Sequence, residues 1–361
     1  MGELRLMKGN EALAEAIIRA GADGYFGYPI TPQSEVVEYL TAEKPWERTG
    51  MVVLQAESEV ASINMLYGGG GSGKKVVTSS SSPGISLMQE GISYIAGAEI
   101  PAVIVNVMRG GPGLGDIQPA QSDYFQTTKG GGHGDYRLIA LAPSSVQEMS
   151  DFVPVAFDLA FKYRTPVMIL SDGAIGQMME KVELFEPIPR LTDEEVQERY
   201  PWATNGKPKG GERRVLTSLD LDPARLEEHN HHLQEKYRKI EENEVRYEAL
   251  ECDDAEYVIV AYGTSARVAL KAIHLLRAKG IKAGLLRPIT VWPFPTKKIQ
   301  ELVEQGVKGF LSSEMSTGQM VEDVKLAVNG RAKVEFCGRV GGMIQSPEEV
   351  VEALETKVIG G

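Results

Sequence analysis

The sequence predicts an α/β protein made of two doubly wound domains, and three observations predict it. From residue 1 to about 190, strand-like and helix-like segments alternate, and from Ala255 the alternation resumes. Such alternation gives a parallel sheet covered by helices on both faces. The strand candidates are continuous apolar runs, Pro101–Met108 above all, as strands buried on both sides should be. Between the two regions the texture changes. Asn205–Arg214 is rich in Gly, Lys and Pro, and Pro223–Leu250 is charged and helix-prone. The expected division is a first domain over 1–190, a linker with a charged helix over 191–254, and a smaller second domain over 255–361.

In chain order, a helix-like run over Asn10–Ala22 leads to a short aromatic strand, Tyr25–Tyr28. Pro29 and Pro32 lack a backbone donor, so the strand must end between them. Pro32 suits the first turn of a helix, expected over Gln33–Leu40. Strands are expected at Met51–Gln55, Lys75–Ser79, Ala102–Met108, Leu138–Leu141 and Val167–Leu170. Helices are expected at Ser58–Tyr67, Ile85–Ala96 and Val146–Lys162. In the second domain, strands are read at Tyr257–Val260, Ala283–Leu286, Gly309–Leu311 and Val334–Phe336. Ser265–Lys279, Thr296–Gln305 and Met320–Val328 are read as its helices.

A net charge of −12 argues against nucleic acid or an anionic membrane as the main partner. Two distant cysteines, Cys252 and Cys337, cannot hold an iron–sulfur cluster, which takes four ligands. No apolar run reaches membrane-spanning length and no signal-peptide pattern opens the chain, so a cytoplasmic location is expected.

Gly68–Lys74 has the spacing of a phosphate-binding loop. Lys75 stands where Ser or Thr is needed, and a helix precedes the motif where a strand should, so it reads as a flexible connection. His229, His231 and His232 lie in the charged helix without an accompanying metal signature, and read as a solvated face. Thr31 falls at a strand-to-helix corner, where α/β folds bind ligands and helix N-termini favour anions. Glu57 and Glu59 open a helix, with Ser58 able to cap it. Ser79–Ser82 end a strand, and their hydroxyls could line a polar pocket or a capped turn. Arg109 ends a buried strand ahead of the small-residue loop Gly110–Asp116, and could fork onto a carboxylate or serve a structural ion pair.

Taken together, Tyr28-Pro29-Ile30-Thr31-Pro32, the Ser58-Glu59 helix start and Arg109 resemble the 2-oxoacid:ferredoxin oxidoreductases, which use thiamine diphosphate. The resemblance covers nearly the whole chain. It implies a pyrimidine-binding domain followed by a transketolase C-terminal-like domain whose role is packing and assembly. Glu59 is similar to the glutamate that shares a proton with the cofactor's pyrimidine N1′, with Glu57 as the rival position. Arg109 and Thr31 would hold the 2-oxoacid carboxylate, and Tyr28, Pro29 and Ser81 would line the cofactor. Gln89–Tyr94 and Gly130–Asp135 look most like the α subunit of the branched-chain (2-oxoisovalerate) type, with the 2-oxoglutarate type as runner-up.

No Gly-Asp-Gly…Asn segment and no cysteine-rich run is present. In the family, a β subunit binds the diphosphate and Mg²⁺, a ferredoxin-like small subunit carries iron–sulfur clusters, and a γ subunit completes the complex. The implied reaction is oxidative decarboxylation of a 2-oxoacid with coenzyme A and ferredoxin. The competing readings are a scaffold subunit that has lost its site and a nicotinamide dehydrogenase. The last lacks a G-x-G-x-x-G turn between a first strand and helix.

Overall fold

The computed structural model describes residues 3–207 and 211–360, so 208–210 of the Gly-, Lys- and Pro-rich stretch lie outside the described residues. Two sheets organise the chain. The larger runs Thr290–Trp292, Ile139–Leu141, Pro166–Asp172, Ala102–Met108, Val76–Ser80, Gly24–Gly27, Val52–Gln55. Its neighbours are parallel except Thr290–Trp292, which is antiparallel to Ile139–Leu141. The two central strands are buried along their whole length, which explains their unbroken apolar sequence. Helix Gly9–Arg19 packs on Val146–Tyr163, and Glu59–Gly71 packs on Ser82–Gly97. Right-handed crossovers place these pairs on opposite faces of the sheet.

From Gly24–Gly27 the chain crosses to the sheet edge, then returns past that strand to Val76–Ser80. The strand order therefore reverses there, and the crevice outside the carboxyl ends of those strands is where such sheets bind ligands. The loops at that point begin with Tyr28 and Ser81.

The smaller sheet runs Lys333–Gly338, Gly309–Glu314, Tyr257–Val260, Ala283–Pro288, Tyr247–Leu250, parallel except for the last strand. The two sheets trade edges. Tyr247–Leu250 comes from the 191–254 stretch, and Thr290–Trp292 reaches back to the larger sheet. Helix Pro223–Asn243 buries Leu233, Tyr237 and Ile240 in the larger core. His229 Nε2 lies 2.7 Å from the Gly97 carbonyl, and His232 Nε2 lies 3.1 Å from Glu99 Oε1. His231 and His232 are exposed, as the solvated-face reading expects, while His229 is half-buried against the end of helix Ser82–Gly97.

Two further expectations change. Gly68–Gly71 is the last turn of a helix rather than a flexible connection. A side chain at Gly70 would meet the Pro101 carbonyl 2.5 Å away, so the glycine permits close helix–strand packing. Glu3–Lys8 and Met179–Leu184 form an antiparallel pair with no apolar run to announce it.

The domains are joined by saturated buried bonds. Asp172 accepts from Thr264 N at 3.1 Å and Thr264 Oγ1 at 2.7 Å. Gln121 donates to the Tyr262 carbonyl at 2.8 Å and accepts from Ser265 Oγ at 2.7 Å and Met315 N at 3.0 Å. In the smaller domain, buried Glu314 accepts from Ser312, Ser316 and the amides of Gln319, Met320 and Val321, fixing the start of helix Met320–Val328.

The fully buried Glu15 lies 2.8 Å from Arg19 Nε and 2.9 Å from Arg48 Nη2. Burial alone would raise its pKa, but the hydrogen bonds from Arg48 and Arg19 outweigh it and hold the carboxyl below its usual range. Glu15→Ala leaves two arginines facing a cavity and should cost about 3 to 5 kcal/mol in urea denaturation of the purified chain. A carboxyl held low stabilises the fold above its unfolded pKa and loses that contribution as pH falls. The gap between wild type and variant should therefore close in acid.

Candidate active site

Glu59, Thr31 and Arg109 follow three strands of the larger sheet, at the same carboxyl edge. Glu59 is the first residue of helix Glu59–Gly71, whose cap is Ser58, with Ala61 N 3.2 Å from Ser58 Oγ. Its side chain is buried, at 6% exposure, whereas Glu57 is exposed. The Glu59 carboxylate makes no hydrogen bond to another described residue. A side chain at Gly84 would collide with Ser80 Oγ and lie 2.7 Å from Glu59 Oε1, so Glu59, Ser80 and the start of helix Ser82–Gly97 converge there. The hydroxyls of Thr78, Ser80 and Ser81 are buried with no partner among the described residues. Unsatisfied buried polar groups are costly and call for an explanation. The Glu59 carboxylate and the orphaned Ser80 hydroxyl around a side-chain-free glycine fit the pyrimidine end of thiamine diphosphate, a flat ring with hydrogen-bonding edges.

Tyr28 and Pro29 are exposed at the mouth of this region, and Thr31 is exposed beside them. Arg109 is buried, at 6% exposure. Its Nη1 donates to the Thr31 carbonyl at 2.8 Å and its Nη2 to the Leu114 carbonyl at 3.0 Å, while Nε is buried without a partner among the described residues. The contact between Arg109 and Thr31 thus runs through the Thr31 main chain, which leaves the hydroxyl free. The loop after Arg109 is closed by Gly110 N to the Gln118 carbonyl at 2.9 Å.

Several residues around the site were not singled out from the sequence, alongside Ser82 of the serine run, which was. Asn10 and Gln177 donate to the Pro32 carbonyl at 2.7 and 2.9 Å. Ser82 Oγ accepts from Arg109 N at 3.1 Å, and Asn106 donates to Asp123 at 2.8 Å. Burial pushes the Asp123 carboxyl above the usual carboxylate range, opposed by Ser82 and Asn106. Asn10 and Gln177 sit far from the Tyr28–Pro32 signature in sequence, and no local pattern could have linked them to it. Ser82 closes the serine run, and Asn106 is the one polar residue within Ala102–Met108, a signal that could have been read. A cleft of about 620 Å³ opens between the domains, lined by Ser82, Gly110, Asp123, Ser316, Thr317 and Gly341 among others; it adjoins Arg109 but includes neither Glu59 nor Thr31.

Comparison with known proteins identifies the family. Residues 15–249 match the family described as pyruvate flavodoxin/ferredoxin oxidoreductase, thiamine diphosphate-binding, and residues 255–350 match pyruvate:ferredoxin oxidoreductase core domain II. The ketoisovalerate oxidoreductase subunit VorB of Methanothermobacter thermautotrophicus is 51% identical over 352 residues, covering 97% of each chain. The 2-oxoglutarate synthase subunit KorA of Methanocaldococcus jannaschii is 36% identical over 369 residues, covering 98% of this chain and 99% of its own. The solved 2-oxoglutarate:ferredoxin oxidoreductase of Magnetococcus marinus superimposes with a TM-score of 0.81 at 26% identity. The match covers 99% of this chain and 66% of that longer one. The chain therefore belongs to the 2-oxoacid:ferredoxin oxidoreductase family, as one subunit of such an enzyme.

Proposed function

We propose that this chain is the α-type subunit of a branched-chain 2-oxoacid:ferredoxin oxidoreductase and supplies the pyrimidine half of its thiamine diphosphate site. The observation that carries the reading is the buried Glu59, without a hydrogen bond among the described residues, beside Ser80 and Gly84 and one loop away from Arg109. Glu59 would hold the proton at the pyrimidine ring, with Ser81 and the exposed Tyr28–Pro29 corner lining the cofactor. Thr31 and Arg109 would orient the carboxylate of the 2-oxoacid. Bound there, the cofactor supplies the carbanion chemistry of decarboxylation; the protein's part is to bind, orient and move that one proton.

Diphosphate and Mg²⁺ would be held by a β subunit, clusters by a ferredoxin-like subunit, and a γ subunit would complete the assembly, in the cytoplasm, with coenzyme A and ferredoxin as co-substrates. Exposed Val52, Leu54, Val60 and Leu87 lie on the strand and helices that carry Glu59 and Gly84, an apolar surface suited to a partner subunit. The greater identity to the ketoisovalerate subunit supports the branched-chain assignment over 2-oxoglutarate.

The purified chain alone should show no turnover with 2-oxoisovalerate, coenzyme A and a viologen dye. Activity should appear on adding the partner subunits, with 2-oxoisovalerate preferred to 2-oxoglutarate. Robust turnover by the single chain would overturn the half-site reading.

A further inference from the structure

The segment Tyr28–Pro32 has few amides of its own to hold it, because Pro29 and Pro32 have no N–H. It is held by its carbonyls instead. The Ile30 carbonyl accepts from Gln33 N at 3.0 Å, that of Thr31 from Arg109, and that of Pro32 from Asn10 and Gln177. The Tyr28 carbonyl accepts from Gln33 Nε2 at 3.2 Å.

The Gln33 side chain is fully buried, and its orientation is forced. A carbonyl can only accept, so the amide nitrogen must face Tyr28. Its Oε1 then accepts from Ser79 Oγ at 2.6 Å. Ser79 has given its single proton to Gln33, so Tyr25 Oη, 2.8 Å away, must donate to Ser79. Burial pushes the Tyr25 hydroxyl up to about 12, so it keeps the proton it donates. The bonds run one way, from Tyr25 through Ser79 and Gln33 to the Tyr28 carbonyl, and each donor and acceptor is assigned.

We propose that Gln33 is a positioning residue for the 2-oxoacid: by holding the Tyr28 carbonyl with its side-chain amide, beside the Ile30 carbonyl held by its main-chain N–H, it fixes the corner that presents the Thr31 hydroxyl. The proposal rests on the reading of Thr31 and Arg109 as the holders of the substrate carboxylate.

The test is steady-state kinetics of the assembled complex carrying Gln33→Met or Gln33→Glu, beside a thiamine diphosphate titration. Gln33→Met keeps the volume and loses the donor. Its KM for 2-oxoisovalerate should rise about tenfold, the effect of losing one neutral hydrogen bond, with cofactor affinity and kcat within about twofold of wild type. General damage to the fold would move all three together. Gln33→Glu, when protonated, can still accept from Ser79 and donate to Tyr28. Its KM should lie near wild type in acid and climb toward that of Gln33→Met as the pH rises.

A wild-type KM in Gln33→Met overturns the proposal. Should that variant not assemble, a wild-type KM in Gln33→Asn, whose amide is one methylene short of the Tyr28 carbonyl, does the same. If Arg109→Lys leaves the 2-oxoacid kinetics untouched, the underlying carboxylate reading fails; an effect there with none at Gln33 removes Gln33 alone.

Discussion

Glu59→Gln removes nearly all turnover from the assembled complex while the subunits still associate. Glutamine has the same shape but cannot accept and return a proton at the pyrimidine ring. The carboxylate is buried, makes no bond to another described residue and meets Ser80 and Gly84, so no neighbouring group can take over its part. Proton transfer by a positioned side chain is worth about 10² to 10⁴ in rate, and the loss in kcat should fall in that range. Glu57→Gln is the comparison. Glu57 is exposed two residues upstream, outside the helix, and its variant should keep near-wild-type activity. Measured turnover with 2-oxoisovalerate, coenzyme A and a viologen dye decides between them. A dead Glu57→Gln beside an active Glu59→Gln would show that the neighbouring glutamate carries the proton.

Arg109→Lys lowers kcat/KM for the 2-oxoacid by about 30- to 1,000-fold and leaves thiamine diphosphate affinity near wild type. The range is the loss of a charged hydrogen bond in a water-poor site, about 2 to 4 kcal/mol. The structure sharpens the reason. Two guanidinium nitrogens are already held by the Thr31 and Leu114 carbonyls, which lock the plane, and the remaining N–H groups, the buried Nε among them, are left for a carboxylate. A lysine has one nitrogen, which cannot hold both carbonyls and present a planar fork. The effect should therefore be confined to the substrate's kinetics. An unchanged kcat/KM, or weakened cofactor binding in its place, would remove Arg109 from the substrate's side of the site.

The sequence by itself determined the order and kind of most elements and the cluster of loops where the site lies. Strands such as Ala102–Met108 are legible because burial on both faces demands an unbroken apolar run. The corner at Thr31 is legible because two prolines forbid the strand to continue. The serine run and Arg109 are legible for a related reason, since the first ends such a strand and the second directly follows one.

Other features are set by contacts between residues far apart in the chain, and only the tertiary structure decided them. Glu57 and Glu59 are equivalent in composition and both stand at a helix start; burial of one and exposure of the other separates them. The bond from Arg109 to the Thr31 main chain joins residues 78 positions apart, and the hold of Gln177 on Pro32 spans 145. The edge strands Tyr247–Leu250 and Thr290–Trp292 carry no long apolar run, because a short strand at a sheet edge is held by its neighbour's backbone more than by its own side chains. Gln33 directly follows the signature, yet nothing local shows that its amide is fully buried and aimed at the Tyr28 carbonyl. That direction is forced by the Tyr28 carbonyl, which can only accept, and the Oε1 turned away from it accepts from Ser79, 46 residues away, which the sheet brings alongside.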